Sequence, residues 1–291
     1  MAFKFQSEDG EIELLTEASP LKDLKTLESG TPHEGFTCSF KLQKLSNFST
    51  GQNQTDEGIL LATSNYLSSH SELEPKNKSV TIGVSSVSEI DRLIDVCLTK
   101  LHVGESGEFS LKCLRSKSVC NITLELISID DSKELHQLSS EEIHKFSTSL
   151  KEQGVELFSK GFVIDAFYKF SKATKYIHLI KPRCRHIHQV KLLTTLQSNM
   201  ASCHVKVKNW EDAIELCNMV LEQDPNNVKV LYRRGWSYIE IQEYEKAGDD
   251  LLKAKELDPG NQAVKNKLTL LDERKKVLNA KYAQAMKKFF S

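Results

Sequence analysis

The chain has 291 residues, of which 39% are hydrophobic and 27% charged, a composition that fits about two globular domains. Its net charge of −1 excludes a general electrostatic pull toward nucleic acid or acidic membranes, and no run of about 18 apolar residues offers a helical membrane span. The seven cysteines (38, 97, 113, 120, 184, 203 and 217) are odd in number and form no C-x-x-C, which argues against a secreted disulfide scaffold and for reduced thiols. The opening MAFKFQSEDGEIELL lacks the basic-then-apolar order of a signal peptide, so the expected location is cytoplasmic, with nuclear access as well.

In chain order, the first 130 or so residues read as short β-rich runs separated by polar punctuation. FTCSFKLQKL (36–45), SVTIGV (79–84), GEFSLKCL (107–114) and CNITLELISI (120–129) alternate or carry β-branched residues. LSNFSTGQNQTDEG (45–58) reads as a long polar loop. One helix interrupts the strands at VSEIDRLIDVCLTKL (87–101), where Ile90, Leu93, Ile94, Cys97, Leu98 and Leu101 recur at three and four and Ser88 is placed to cap the N-terminus. Strands around a single helix predict an α+β domain over 1–131, with its core at 35–131. A polar linker at 132–145 follows, and the remainder reads as helix.

That helical half repeats itself. DPNN (224–227) and DPGN (258–261) lie 34 residues apart, as do Ala213 in WEDAIELC and Ala247 in YEKAGDDL. Ala166 in FVIDAFYKF has the same local setting. Val163, Trp210 and Tyr244 each precede these alanines by three, and Gly154, Ala201 and Gly235 each precede them by twelve. The pattern resembles the tetratricopeptide repeat, whose small residues let two antiparallel helices approach, whose aromatic packs between neighbours and whose Asp-Pro ends the second helix. Three copies fit within 146–261, at 147–180, 194–227 and 228–261. The first interval is stretched by about 13 residues around KPRCRHIHQVKLL, through a longer second helix or a loop insertion. Residues 262–291 form a terminal helix that caps the last repeat.

The stretch VKVLYRRGW (228–236) is then the first helix of the third repeat. Lys229 and Arg233 stand at i and i+4, on one face. The resemblance implies that such first helices line a concave groove, and a cationic pair there suits a carboxylate, which Arg can grip with two parallel hydrogen bonds. It also implies a "dicarboxylate clamp", which in chaperone-binding members grips the terminal Glu-Glu-Val-Asp of heat-shock chaperones. That pattern is Lys-x-x-x-Asn in the first repeat, Asn in the second and Lys-x-x-x-Arg in the third. KEQGV places Lys151, QSNMA places Asn199, and KVLYR places Lys229 and Arg233. Val155 stands where the pattern has Asn and cannot donate a hydrogen bond. Arg234 lies about 100° round the helix from Arg233 and is expected against a neighbouring helix or solvent.

Residues 80–111 and the run CNITLELISI resemble an FK506-binding-type prolyl isomerase domain, with Val103-Gly104-Glu105 at that family's Gly turn. Its pocket is a bowl with a Trp floor and aromatic walls. Here Leu93 takes the floor position, Trp210 and Trp236 both fall in the repeats, Tyr66 is the sole Tyr before residue 168, and only RSKSV separates the last two strands. These departures predict that the chain is not an enzyme. The whole sequence resembles the FK506-binding-protein-like immunophilin co-chaperones with C-terminal tetratricopeptide repeats. That resemblance implies a non-catalytic adaptor that holds a heat-shock chaperone tail, the ninety-kilodalton class favoured, and contacts client proteins through 1–131. The rivals are a working prolyl isomerase tethered by repeats and a scaffold for an unrelated protein.

CRHIH (184–188) supplies one Cys and two His without further ligands for a closed site, so no metal or cofactor is expected. Cys113 and Cys120 read as core thiols. Residues 262–291 carry eight Lys/Arg and two acids, with a stripe of Leu271, Leu278, Tyr282 and Phe289. A basic amphipathic helix of this kind is a calmodulin candidate as well as a cap.

Overall fold

In a computed structural model, the described residues are 12–14, 31–32, 36–49, 64–67, 77–113, 118–130, 138–181, 183 and 185–289. They fall into two compact units, Met1–Ser139 and Ser140–Ser291.

In the first unit, five antiparallel strands form one sheet in the order β1-β4-β5-β2-β3. They are β1 (Ile12–Leu14), β2 (Thr37–Ser49), β3 (Asn77–Thr81), β4 (Ser106–Cys113) and β5 (Ser118–Ile129). One sheet face is apolar at every second residue: Cys38, Phe40 and Leu42 on β2, Phe109 and Leu111 on β4, and Cys120, Ile122, Leu124 and Leu126 on β5 are all buried. Helix α1 (Glu89–Leu98) packs Ile90, Leu93, Ile94, Cys97 and Leu98 into the same core.

The ends of α1 are set by polar chemistry. The Ser88 hydroxyl accepts from the Asp91 N–H while Asp91 reaches back to the Ser88 N–H, a reciprocal capping box. Asp91 is fully buried and also accepts from the N–H groups of Asn65 (3.1 Å), Tyr66 (3.2 Å) and Val87 (3.0 Å). One turn on, Asp95 accepts from the Tyr66 hydroxyl (2.7 Å) and the Gly83 N–H (2.7 Å). Burial first, and then Asp95, raise the Tyr66 hydroxyl well above its ordinary range. The two carboxylates thus fasten residues 64–67 and 83–87 onto the helix.

Three local expectations are revised. β2 continues to Ser49, so 45–49 belongs to a strand, and the rest of the expected 45–58 loop lies outside the described residues. Pairing along β5, with three register shifts, carries this polar end of the strand. The short strand β1 was not expected; it pairs with β4, and three residues are too few to show a period. Helix α2 begins at Ser140, inside the span expected as a linker, because Glu141 and Glu142 suit a helix N-terminus.

Among the described residues the second unit has seven helices: α2 (Ser140–Ser159), α3 (Val163–Leu179), α4 (Ile187–Lys206), α5 (Trp210–Gln223), α6 (Val228–Glu240), α7 (Tyr244–Leu257) and α8 (Gln262–Phe289). They pair as α2–α3, α4–α5 and α6–α7. Each pair turns through one left-handed residue, Gly161, Lys208 or Gln242, with φ of 87°, 64° and 66°. The last two lie 34 residues apart, so the turn repeats with the sequence period. A Cβ on Gly154 would meet the Phe170 ring, and one on Gly235 would meet Leu251, so both small residues sit at close helix crossings. Asn227 and Asn261 open the next first helices. Each accepts from the N–H three residues on and donates to the Asp of its own Asp-Pro pair.

The extra residues of the first interval are shared among three places. α3 is three residues longer than α5 or α7, the connection that follows it is longer than the one between α5 and α6, and α4 starts seven residues ahead of the point that matches Val228. α8 buries Val264 and Leu271 against the last repeat. Farther along, Tyr282 and Phe289 are exposed.

A candidate peptide-carboxylate site

The four residues expected to hold a carboxylate lie on the first helices of the three repeats: Lys151 on α2, Asn199 on α4, and Lys229 and Arg233 on α6. α2 contacts α4, and α4 contacts α6. Arg233 ties the last two helices together. Its Nη1 donates to the Ser198 hydroxyl (2.7 Å) and to the Ser198 carbonyl (3.3 Å), which sets the guanidinium beside the residue preceding Asn199. The thiols of Cys203 and Cys217 flank it, and burial lowers the guanidinium from its ordinary value. It remains a cation, since an Arg in a protein does not lose its proton. Among the described residues it forms no ion pair.

Lys229, one turn earlier on the same face, is exposed, and Lys151 and Asn199 are half-buried. Lys151 is close enough to His144 to help lower that imidazole, after burial and His188. Val155 is 49% exposed, so the first-repeat wall presents an apolar side chain to solvent there.

Arg234 behaves differently from its neighbour. Its Nε and Nη2 donate to the two Asp250 oxygens (2.8 and 2.7 Å), and Nη1 donates to Asn218 Oδ1 (2.7 Å). This two-pronged pair joins α6 to α7 and α5, and Asp250 is nearly buried. The sequence expectation of a neighbouring helix or solvent left this partner unnamed. The available signal was an acid inside the apolar spacing of AGDDLL. Ser198 was missed too, because a hydroxyl beside a conspicuous Asn carries no pattern of its own.

CRHIH does not stand alone. The His188 ring meets His144 edge-on at 4.5 Å and stacks on His186 at 5.6 Å, and His188 Nε2 is 3.7 Å from Glu141 Oε1. Among the described residues no three His, Cys, Asp or Glu converge as metal ligands. Cys120 is buried in the core, while the side chain of Cys113 and all of Cys184 fall outside the described residues.

Comparison with known proteins gives the class. The tetratricopeptide-repeat family model matches residues 216–249. Human peptidyl-prolyl cis-trans isomerase FKBP4 is 33% identical over 153 residues, 52% of this chain and 33% of its own length. Human FK506-binding protein-like is 28% identical over 198 residues, 68% of this chain and 54% of its own length. The chain therefore spans a third to somewhat over half the length of these two relatives. The crystal structure of residues 1–211 of CG17282 superposes with a TM-score of 0.56 at 22% identity, covering 72% of this chain and 97% of that one, a likeness of fold. Sheet, helix and repeats define an α+β domain followed by an all-α tetratricopeptide superhelix. In this order of units the chain is similar to FKBP-like immunophilins with C-terminal tetratricopeptide repeats.

The relatives also correct one expectation. The chain was expected not to be an enzyme, yet FKBP4 of man, mouse and rat and FKBP42 of Arabidopsis thaliana are named peptidyl-prolyl cis-trans isomerases. The expectation rested on Leu93, on the scarcity of Tyr and on the short RSKSV connection. A water-excluding surface for an X-Pro amide asks for apolar side chains, which Leu provides as Trp does, so these replacements do not establish a loss of activity. Leu93 is buried in the core, and four residues between β4 and β5 lie outside those described.

Proposed function

We propose that the repeat groove binds the free C-terminal carboxylate of a partner's extended tail, of the Glu-Glu-Val-Asp kind carried by heat-shock chaperones, and that the chain acts as a chaperone adaptor. One observation carries this reading: Arg233 is a partly desolvated guanidinium held on α4 by Ser198, the residue preceding Asn199, with Lys229 one turn away and no acid partner among the described residues. A partly desolvated cation without an anionic partner is costly unless an anion arrives, and a terminal carboxylate can accept two hydrogen bonds from an Arg. Lys151 and Asn199 belong to the same proposed cradle, and Val155 leaves it one amide short, at a cost of about 1 kcal/mol. Titration of the full chain with a Glu-Glu-Val-Asp peptide tests the reading. Arg233→Ala and C-terminal amidation of the peptide should each weaken binding by about tenfold or more. Equal affinity for the free and amidated peptides would overturn it in favour of a scaffold reading.

A second reading is favoured by the names of the relatives: peptidyl-prolyl cis-trans isomerase activity in the first unit. It is tested by turnover of an X-Pro peptide by the full chain. Client contacts through 1–131 and calmodulin binding at 262–291 remain proposals of the same kind. For calmodulin, the exposed Tyr282, Met286 and Phe289 with the lysines around them are the features that support it.

A further inference from the structure

The face of α6 that carries Lys229 and Arg233 continues through Trp236 and Glu240, which follow at helical spacing. Trp236 starts about 4.5 Å farther along the axis than Arg233. Its ring rests against Trp210 and Tyr232, each at 6.0 Å, and its Nε1 donates to Glu240 (3.2 Å). Its face is covered by Lys267 of α8, with the ammonium 3.6 Å from the ring centroid. Arg274, two turns farther along α8, occupies Glu240 (3.1 and 3.3 Å), so Glu240 is already engaged. Lys267 itself forms no ion pair among the described residues. Burial lowers its ammonium from the ordinary value, ahead of the opposing pull of Glu240.

A cation over an indole uses one side of the ammonium for the ring and leaves N–H donors directed elsewhere. Trp236 therefore acts as a platform that holds Lys267 at a fixed height above the α6 stripe, one turn from Arg233. From this geometry we infer that Lys267 is a specificity-determining residue, a second anion contact that selects tails with an acidic side chain upstream of the terminal carboxylate. The helix that closes the repeats would then also furnish a wall of the groove. The inference rests on the proposed carboxylate reading and deepens it.

The test is a cycle on the full chain with four peptides: one ending Glu-Glu-Val-Asp with a free carboxylate, two in which either Glu is replaced by Gln, and the amidated form. Wild-type protein should lose about threefold to tenfold in affinity for one of the Gln peptides. Lys267→Gln should abolish that difference while keeping the preference for a free carboxylate, and Lys267→Arg should restore it. If Lys267→Gln leaves the Glu-to-Gln difference intact, or changes thermal stability alone, Lys267 is only a staple between α8 and α6 and the inference fails while the groove reading stands. If wild-type protein does not distinguish free from amidated peptide, the groove reading fails and takes the inference with it.

Discussion

Arg233 and Arg234 are adjacent in sequence and opposite in chemistry. Arg234 spends its donors inside the fold, on Asp250 and Asn218, whereas Arg233 gives Nη1 to Ser198 and meets no carboxylate among the described residues. Replacing them separates fold from binding. Arg234→Ala leaves Asp250 nearly buried and unpaired and should cost about 3 kcal/mol in urea unfolding. Arg233→Ala should move the unfolding midpoint little and weaken carboxylate binding instead. A result in which Arg234→Ala is neutral would mean that water or another donor serves Asp250. The division was half legible in sequence. The i, i+4 spacing put Lys229 and Arg233 together, but the partner of Arg234 lies sixteen residues on, across a helix turn that no local pattern predicts.

At the scale of elements, the helices of the second unit were readable because each repeats the same needs. A small residue at the crossing and a left-handed turn recur at fixed spacing in all three copies, and an Asp-Pro-x-Asn stop in the last two, so one copy interprets the next. Gly154 shows the constraint most sharply. Gly154→Ala drives a methyl into the Phe170 ring and should cost about 1–3 kcal/mol, read as a lower unfolding midpoint. In the first unit the long strands were readable from alternation, but β1 and the far end of β2 were not, since their place is fixed by partners distant in sequence. The three-histidine contact around His188 was likewise invisible, because α2 and α4 meet only in the fold. It has a consequence for pH. Burial, with His188 and Lys151 assisting and Glu141 opposing, lowers His144, and burial also lowers His178 and His204. The unfolded chain then binds more protons than the folded one as pH falls through about 6.5. Stability of the repeats should be full above that value and decline below it. His144→Gln should shallow the slope of melting temperature against pH; an unchanged slope would show that His144 titrates as in the unfolded chain.

For the whole molecule, the two proposed functions fall on different units, X-Pro turnover on the sheet-and-helix unit and carboxylate binding on the repeats. If the first unit turns over an X-Pro peptide, the rate should be unchanged by Arg233→Ala, because that residue belongs to the other unit. Loss of turnover in that variant would contradict the division. Carboxylate binding in the groove is measured by calorimetric titration of the full chain with the same Glu-Glu-Val-Asp peptide, free and amidated. The free acid should bind saturably, with affinity lowered about tenfold or more by amidation and equally by Arg233→Ala. Identical affinities for the two peptides, or binding untouched by Arg233→Ala, would contradict carboxylate binding there.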